Sequence, residues 1–233
     1  MNFFDNVLIV KAGRIPLPFG LNAFYDPHFK VIQPLYQQSL GLRLADGACL
    51  SGRYGDYLFC LSASRSVRSS KNEKTTYIFR VEREIPSNPW IKGDFGFSLL
   101  SGYLPLVDEF GITPLTIDKT RIGLDFNITK GKSKLLGEAH IGGDKDTNVG
   151  GFFLLGEVPL QKNLKLIISW RSFNFDVDKG REMRMGSAGV SWDISDHHKL
   201  SLVYQRDYFN RKNIYTLQLL TVYSLSDLVK KGF

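Results

Sequence analysis

The residues of this 233-residue chain that could do chemistry are mostly charged side chains spaced two apart. Lys11, Arg43, Arg53, Arg80, Lys92, Arg121 and Lys165 alternate with other residues in the same manner as Glu82, Asp94, Asp125, Glu138, Glu157 and Asp207. Gathered around a water-filled space, such side chains select solutes by charge. Arg43, Arg80, Lys92 and Arg121 could form a basic arc that favours anions, whereas interleaved signs on neighbouring strands make salt-bridge ladders, which is the preferred reading. His140 shares a face with Glu138 and could be poised for acid–base work, but a solvated histidine is the expectation. His197 and His198 follow Asp196 in a turn, and no third residue is identifiable to complete a metal site. Cys49 and Cys60 lack zinc-finger spacing, and the chain contains no glycine-rich phosphate loop, HExxH or GxSxG. The expectation is therefore no catalytic residue, no metal and no cofactor.

The elements that must position these side chains show a period of two, which sends successive residues to opposite faces of an extended strand. Tyr77, Phe79 and Val81 alternate with Thr76, Ile78, Arg80 and Glu82, and Ile122, Leu124, Phe126 and Ile128 alternate with Arg121, Gly123, Asp125 and Asn127. Turn chemistry divides the chain into strands near 7–16, 39–53, 56–66, 75–84, 91–103, 119–129, 134–142, 149–158, 164–176, 182–194, 198–209 and 213–225. One merged or missed hairpin would change this count of twelve to about ten or fourteen. The whole chain, 1–233, reads as one all-β antiparallel domain. No run approaches the roughly 20 apolar residues of a spanning helix. The first residues lack the basic and apolar regions of a secretory signal, so either a signal has been removed or the sequence is incomplete. Thirty basic residues against 23 acidic ones are scattered rather than striped, which argues against nucleic acid as a partner.

Size decides which face is inside. A closed sheet of twelve strands encloses more space than inward side chains fill, so the polar face is expected inward around water and the apolar face outward against lipid. The small inward residues Gly96, Gly123, Ser62, Ser64 and Ser98 are expected to leave that space open. Tyr57, Tyr77, Trp90, Tyr103, Trp192, Tyr208 and Tyr215 lie towards strand ends, where an interfacial girdle would place them. The connections alternate long and short, with Leu17 to Gln38 the longest, then Val67 to Lys74 and Leu104 to Asp118. The first of these, carrying Asn22, Tyr25, Asp26, Pro27, His28 and Lys30, could fold inward as a constriction or plug or serve as external cover. The Pro105 to Pro114 stretch, with Asp108 and Glu109, is a second candidate. A soluble multi-strand barrel or sandwich is the structural rival.

Local register is also readable. A two-residue turn at Tyr54-Gly55 would pair Arg53 with Asp56, Leu50 with Phe59 and Cys49 with Cys60, placing the cysteines opposite each other either as a disulfide or as two small unpaired residues. Asp46 falls on the apolar face, and the phase slips between Trp170 and Phe173. A β-bulge would repair each.

The segment Val10-Lys-Ala-Gly-Arg-Ile-Pro-Leu-Pro-Phe-Gly20 resembles the first strand and loop exit of Gram-negative outer-membrane porins of the phosphate-selective O/P type, and Ser51-Gly-Arg-Tyr-Gly-Asp-Tyr57 resembles their short hairpins. Those proteins are longer, with about sixteen strands, and usually trimeric. The resemblance implies passive diffusion of small hydrophilic solutes or anions through the outer membrane, in contact with its lipid and lipopolysaccharide. The alternative is a structural barrel that sheathes or anchors a partner, such as a periplasmic protein or a cytochrome. A homo-oligomer is a further expectation, and an outer-membrane enzyme is the least favoured class.

Overall fold

The computed structural model describes residues 8–23, 32–65, 74–85, 90–108, 111–195 and 198–221. Among them are twelve strands: β1 (Ile9–Pro16), β2 (Leu44–Tyr54), β3 (Tyr57–Arg65), β4 (Thr75–Glu84), β5 (Lys92–Asp108), β6 (Gly111–Lys130), β7 (Ser133–Asp144), β8 (Thr147–Pro159), β9 (Leu164–Asp176), β10 (Arg181–Asp193), β11 (His198–Asp207) and β12 (Lys212–Thr221). They form one antiparallel sheet in which each strand pairs with its neighbours in sequence. Among the described residues β1 pairs with β2 alone and β12 with β11 alone. One four-residue helix, α1 (Tyr36–Ser39), lies between β1 and β2.

Alternating sequence makes the two faces chemically different. Tyr77, Leu99, Ile122, Leu124, Ile141, Phe152, Ile168 and Leu202 are exposed on one face. Arg80, Ser98, Arg121, Asp125, Glu138, Ser169 and Ser201 are buried on the other. Residues 17–23 and 32–43 cross the polar face. Leu17, Phe19 and Leu40 pack with Ala45 of β2, Ile78 of β4 and Leu100 and Leu104 of β5. Leu21, Ile32 and Leu35 cluster with apolar residues of β7, β8, β9 and β11. Together the two clusters reach strands from β2 to β11 around the same crossing residues, which makes the polar face the concave one. Of the expected aromatic girdle, Tyr57, Tyr77, Trp90, Trp192, Tyr208 and Tyr215 are exposed and Tyr103 is half-buried.

Several local expectations are corrected. The hairpin between β2 and β3 turns at Gly55-Asp56, with Gly55 at a φ of 56°, so Tyr54 faces Tyr57, Cys49 faces Ser62 and Ser51 faces Cys60. The cysteines are diagonal neighbours on the concave face and are joined as a disulfide across a Cα–Cα separation of 6.6 Å. Asp46 needs no bulge. It keeps regular register on the convex face between Arg14 of β1 and Arg65 of β3, where opposite charges on adjacent strands offset one another.

Register is also regular from Trp170 to Phe173. Trp170 faces outward, whereas Phe173 faces inward because it joins the apolar cluster under Leu21 and Leu35. The irregularity lies instead in the pairing of β9 with β10, at Arg181/Glu182. The expected loop from Leu104 to Asp118 is instead a continuation of β5 and β6, paired out to Asp108 and Gly111 with one irregularity between Pro105 and Val107. Arg43 precedes β2 rather than lying within it.

Candidate functional site

The crossing segment is held by both of its ends and along its length. The Leu17 amide donates to the Arg43 carbonyl (2.9 Å), and the Asn22 amide group donates to the Leu17 carbonyl (2.8 Å) and the Arg43 carbonyl (3.3 Å). These bonds close a loop between the exit of β1 and the entry of β2. The Pro16-Leu17-Pro18 run removes backbone donors just where the chain leaves the sheet, and a 3-10 turn at Gly20–Ala23 then aims main-chain amides at the wall.

Glu138 of β7 receives those amides. Its carboxylate accepts from Leu21 N (2.9 Å) and from Leu35 N (2.5 Å), so one buried side chain joins the two described halves of the segment. Gly20 donates to Ser98 Oγ (3.2 Å). Ser39 O accepts from Lys119 Nζ and Arg121 Nη2, each at 3.3 Å, and Gln33 O accepts from Arg171 Nη1 (3.2 Å). An unpaired buried amide costs about 1–3 kcal/mol, and a buried charge without partners costs more. Inward charges and segment amides therefore satisfy each other.

Shape adds to this. Gly20 has a φ of 54°, and a Cβ there would lie 2.7 Å from Glu138 Oε2 and 2.8 Å from His140 Nε2. Phe19 stacks edge-on with His140, ring centroids 4.9 Å apart, over Gly123, where a Cβ would lie 2.9 Å from the Phe19 ring. Gly123 is small because an aromatic ring occupies the space above it. The expectation that the small inward residues leave the interior open is overturned here: Gly96 lies beneath the Arg80 guanidinium, and Ser98 bonds both Gly20 and Arg80. Ser62 and Ser64 are buried as well.

His140 is likewise not a solvated histidine. Its side chain is 1% exposed, and Nε2 lies 3.2 Å from Glu138 Oε2. Burial raises the Tyr36 phenol of α1 above its usual value, opposed by the charges of Arg43 and Arg171, so α1 presents a neutral hydroxyl to the segment's surroundings.

The proposed basic arc resolves into separate ion clusters. Arg80 forks onto Asp125 (2.6 and 2.9 Å) and also bonds Glu82 (2.8 Å) and Ser98 (3.1 Å). Arg121 pairs with Asp144 and donates to the Thr120 and Gly143 carbonyls, both 2.8 Å, while Lys119 lies 3.5 Å from Asp144. Asp94 accepts from Asn127 (3.2 Å) beside the Arg80 cluster. Lys92 is exposed at the start of β5, and Arg43 sits at the segment's exit. The four cations do not share one arc.

Outside this region, Arg53 pairs with Glu84 at a strand end, and Lys165 lies 3.5 Å from Asp193. Lys11 faces a cavity of about 390 Å³ with Cys49, Cys60, Arg80 and Glu82. Glu157 is buried in β8, and Asp207 caps the β11–β12 turn by accepting from Phe209 N and Asn210 N. His198 Nδ1 lies 3.1 Å from Thr221 Oγ1. Tyr25, Asp26, Pro27, His28, Lys30, Glu109, Asp196 and His197 lie outside the described residues.

The signal that could have disclosed the crossing segment was already in the alternation. Ile78, Leu100, Leu136, Phe153, Ile167, Phe173 and Val203 are apolar residues on the polar face, and all seven pack in the two clusters formed around the segment. Compared with known proteins, the chain matches no family model and no curated sequence.

Proposed function

We propose that this chain is an outer-membrane β-barrel that passes small hydrophilic solutes, with residues 17–23 and 32–43 seated in its lumen as a constriction. The observation that carries this reading is the two-faced sheet, with large apolar side chains exposed along its convex face and charges buried on its concave face. Water-soluble monomers rarely expose apolar patches beyond a few hundred Å², whereas a lipid-facing barrel wall requires one. Closure of β1 against β12 belongs to the same proposal, because an open sheet edge in hydrocarbon leaves backbone groups unpaired. The likeness of Val10 to Gly20 to O/P-type porins agrees with it. Since Arg80 and Arg121 are each neutralised by carboxylates, the passage is proposed to discriminate weakly between anions and cations.

A seated segment also favours a second reading, in which the barrel is sealed alone and sheathes or anchors a partner. Planar-bilayer conductance of detergent-purified, folded protein under a salt gradient separates the two. Steady open channels with a small reversal potential are expected of the channel. Silence from folded protein, with a stoichiometric partner recovered from the native membrane, would replace it with the sheath.

A further inference from the structure

The convex face is not uniformly smooth. Where β3 to β8 run side by side it carries a groove of about 930 Å³, within the size range of pockets that enclose a small organic molecule. Its walls include Leu61, Tyr77, Phe79, Leu99 and Ile122, and its floor is made by a row of small residues, Ser101, Thr120 and Gly143, that register places side by side on β5, β6 and β7. An apolar trough of this kind fits a hydrocarbon chain better than it fits water.

Cations stand at one end of the trough. Lys74 precedes β4 and places Nζ 3.9 Å from the centre of the Tyr103 ring and 2.7 Å from its hydroxyl. Tyr103 stands two positions beyond Ser101 on the same side of β5. Arg65 ends β3 on the side of the sheet that carries Leu61, next to Thr75, and Arg14 continues the row beyond Asp46. Lys74, Arg65 and Arg14 are all exposed, as are Asp46 and Asp118, the latter opposite Tyr103. At this end of the sheet the three cations Lys74, Arg65 and Arg14 outnumber the two carboxylates Asp46 and Asp118. Basic residues next to an apolar surface attract anionic lipid headgroups at about 1 kcal/mol each.

We infer that this groove is a binding site for a phosphorylated membrane lipid, its acyl chain in the trough over Ser101, Thr120 and Gly143 and its phosphate against Lys74 and Arg65. The site rests on the membrane-barrel reading given above and adds a specific lipid class to it. The aromatic ring of Tyr103 holds the Lys74 ammonium at the head of the trough instead of letting it extend into water. The ligand is a lipid with an anionic phosphate head, distinguished from bulk lipid by charge and from free phosphate by its chain.

Native mass spectrometry of the full chain in detergent, with phosphatidylglycerol and phosphatidylcholine offered at equal concentration, tests this. Preferential retention of phosphatidylglycerol is expected, falling on the order of tenfold or more in Lys74→Ala/Arg65→Ala. Ser101→Phe, which fills the trough without touching the cations, should remove binding of both lipids at this site. Inorganic phosphate alone should not compete. Equal retention of both lipids by folded protein, or unchanged preference in the double variant, overturns the site while leaving the barrel intact. A chain that stays monodisperse in water without detergent overturns the membrane reading and the site together.

Discussion

Two stretches of the concave wall carry polar residues for different purposes. From β4 to β7 the inward residues include Arg80, Glu82, Asp94, Lys119, Arg121, Asp125, Glu138 and Asp144, and residues 17–23 and 32–43 bond to Glu138, Lys119 and Arg121 among them. From β10 to β12 the carboxylates Asp193 and Asp207 stand at strand ends, and the mid-strand polar residues are neutral and bond each other: Ser201 to Ser191 at 3.2 Å and Gln205 to Ser187 at 3.1 Å. The contrast teaches that charge on this wall tracks what it must hold. A folded-in segment presents main-chain amides and carbonyls that need strong partners away from water, and ionised side chains are the strongest on offer. Where the crossing residues meet the wall through apolar contacts such as Val203, short neutral polar side chains suffice beside them.

Removing a carboxylate on the charged side should have the largest effect. Asp125→Ala leaves the Arg80 guanidinium buried with Glu82 as its remaining carboxylate partner, and is expected to lower stability by about 3–5 kcal/mol, read by urea unfolding in micelles. A loss under about 1 kcal/mol would mean that water reaches Arg80 and that the wall is not closed over there.

Glu138→Ala is next. It strips the shared acceptor from Leu21 and Leu35 and is expected to cost about 2–4 kcal/mol, spent mainly on unseating the segment while the sheet persists. Protease cleavage within residues 17–43 should accelerate and single-channel conductance should rise. Unchanged cleavage would show that the apolar clusters alone hold the segment.

Gly123→Val sharpens the same point through packing. It drives a side chain into the space of Phe19 and should cost about 1–3 kcal/mol, again with faster cleavage. Had Gly123 faced open water, the substitution would be close to neutral.

The smallest effect is expected on the neutral side. Ser201→Ala breaks one hydroxyl pair with Ser191 and should shift stability by no more than about 0.5–1.5 kcal/mol, without altering cleavage of the segment. If it loosened the segment as Glu138→Ala does, the distinction between the two stretches of wall would fail.

Much of this was legible beforehand in particular places. The alternation of Tyr77 to Glu82 and of Arg121 to Ile128 assigned each side chain to its face, and the ranges 75–84 and 164–176 coincide with β4 and β9. Pairing across the β2–β3 hairpin was misjudged by moving the turn one residue, which changed every cross-strand partner although each residue kept its face. Asp46 looked like a defect because its neighbours Arg14 and Arg65 are distant in sequence and adjacent only across the sheet. Arg80, Arg121, Asp125 and Glu138 are buried on the polar face, whereas Lys92 is exposed and Arg43 precedes β2, and the partners of the buried charges were not legible.

The sequence by itself determined that this is a single antiparallel all-β sheet with one apolar and one polar face, because strand periodicity is a local property that any short window displays. Only the tertiary structure decided that the polar face is covered by residues that reach from β2 to β11, that Arg80 belongs to Asp125 and Arg121 to Asp144, and that Glu138 serves Leu21 and Leu35. Those pairings span from about 20 to more than 100 residues of chain. They are fixed by where sheet curvature and a returning loop bring side chains together, and no local spacing encodes that.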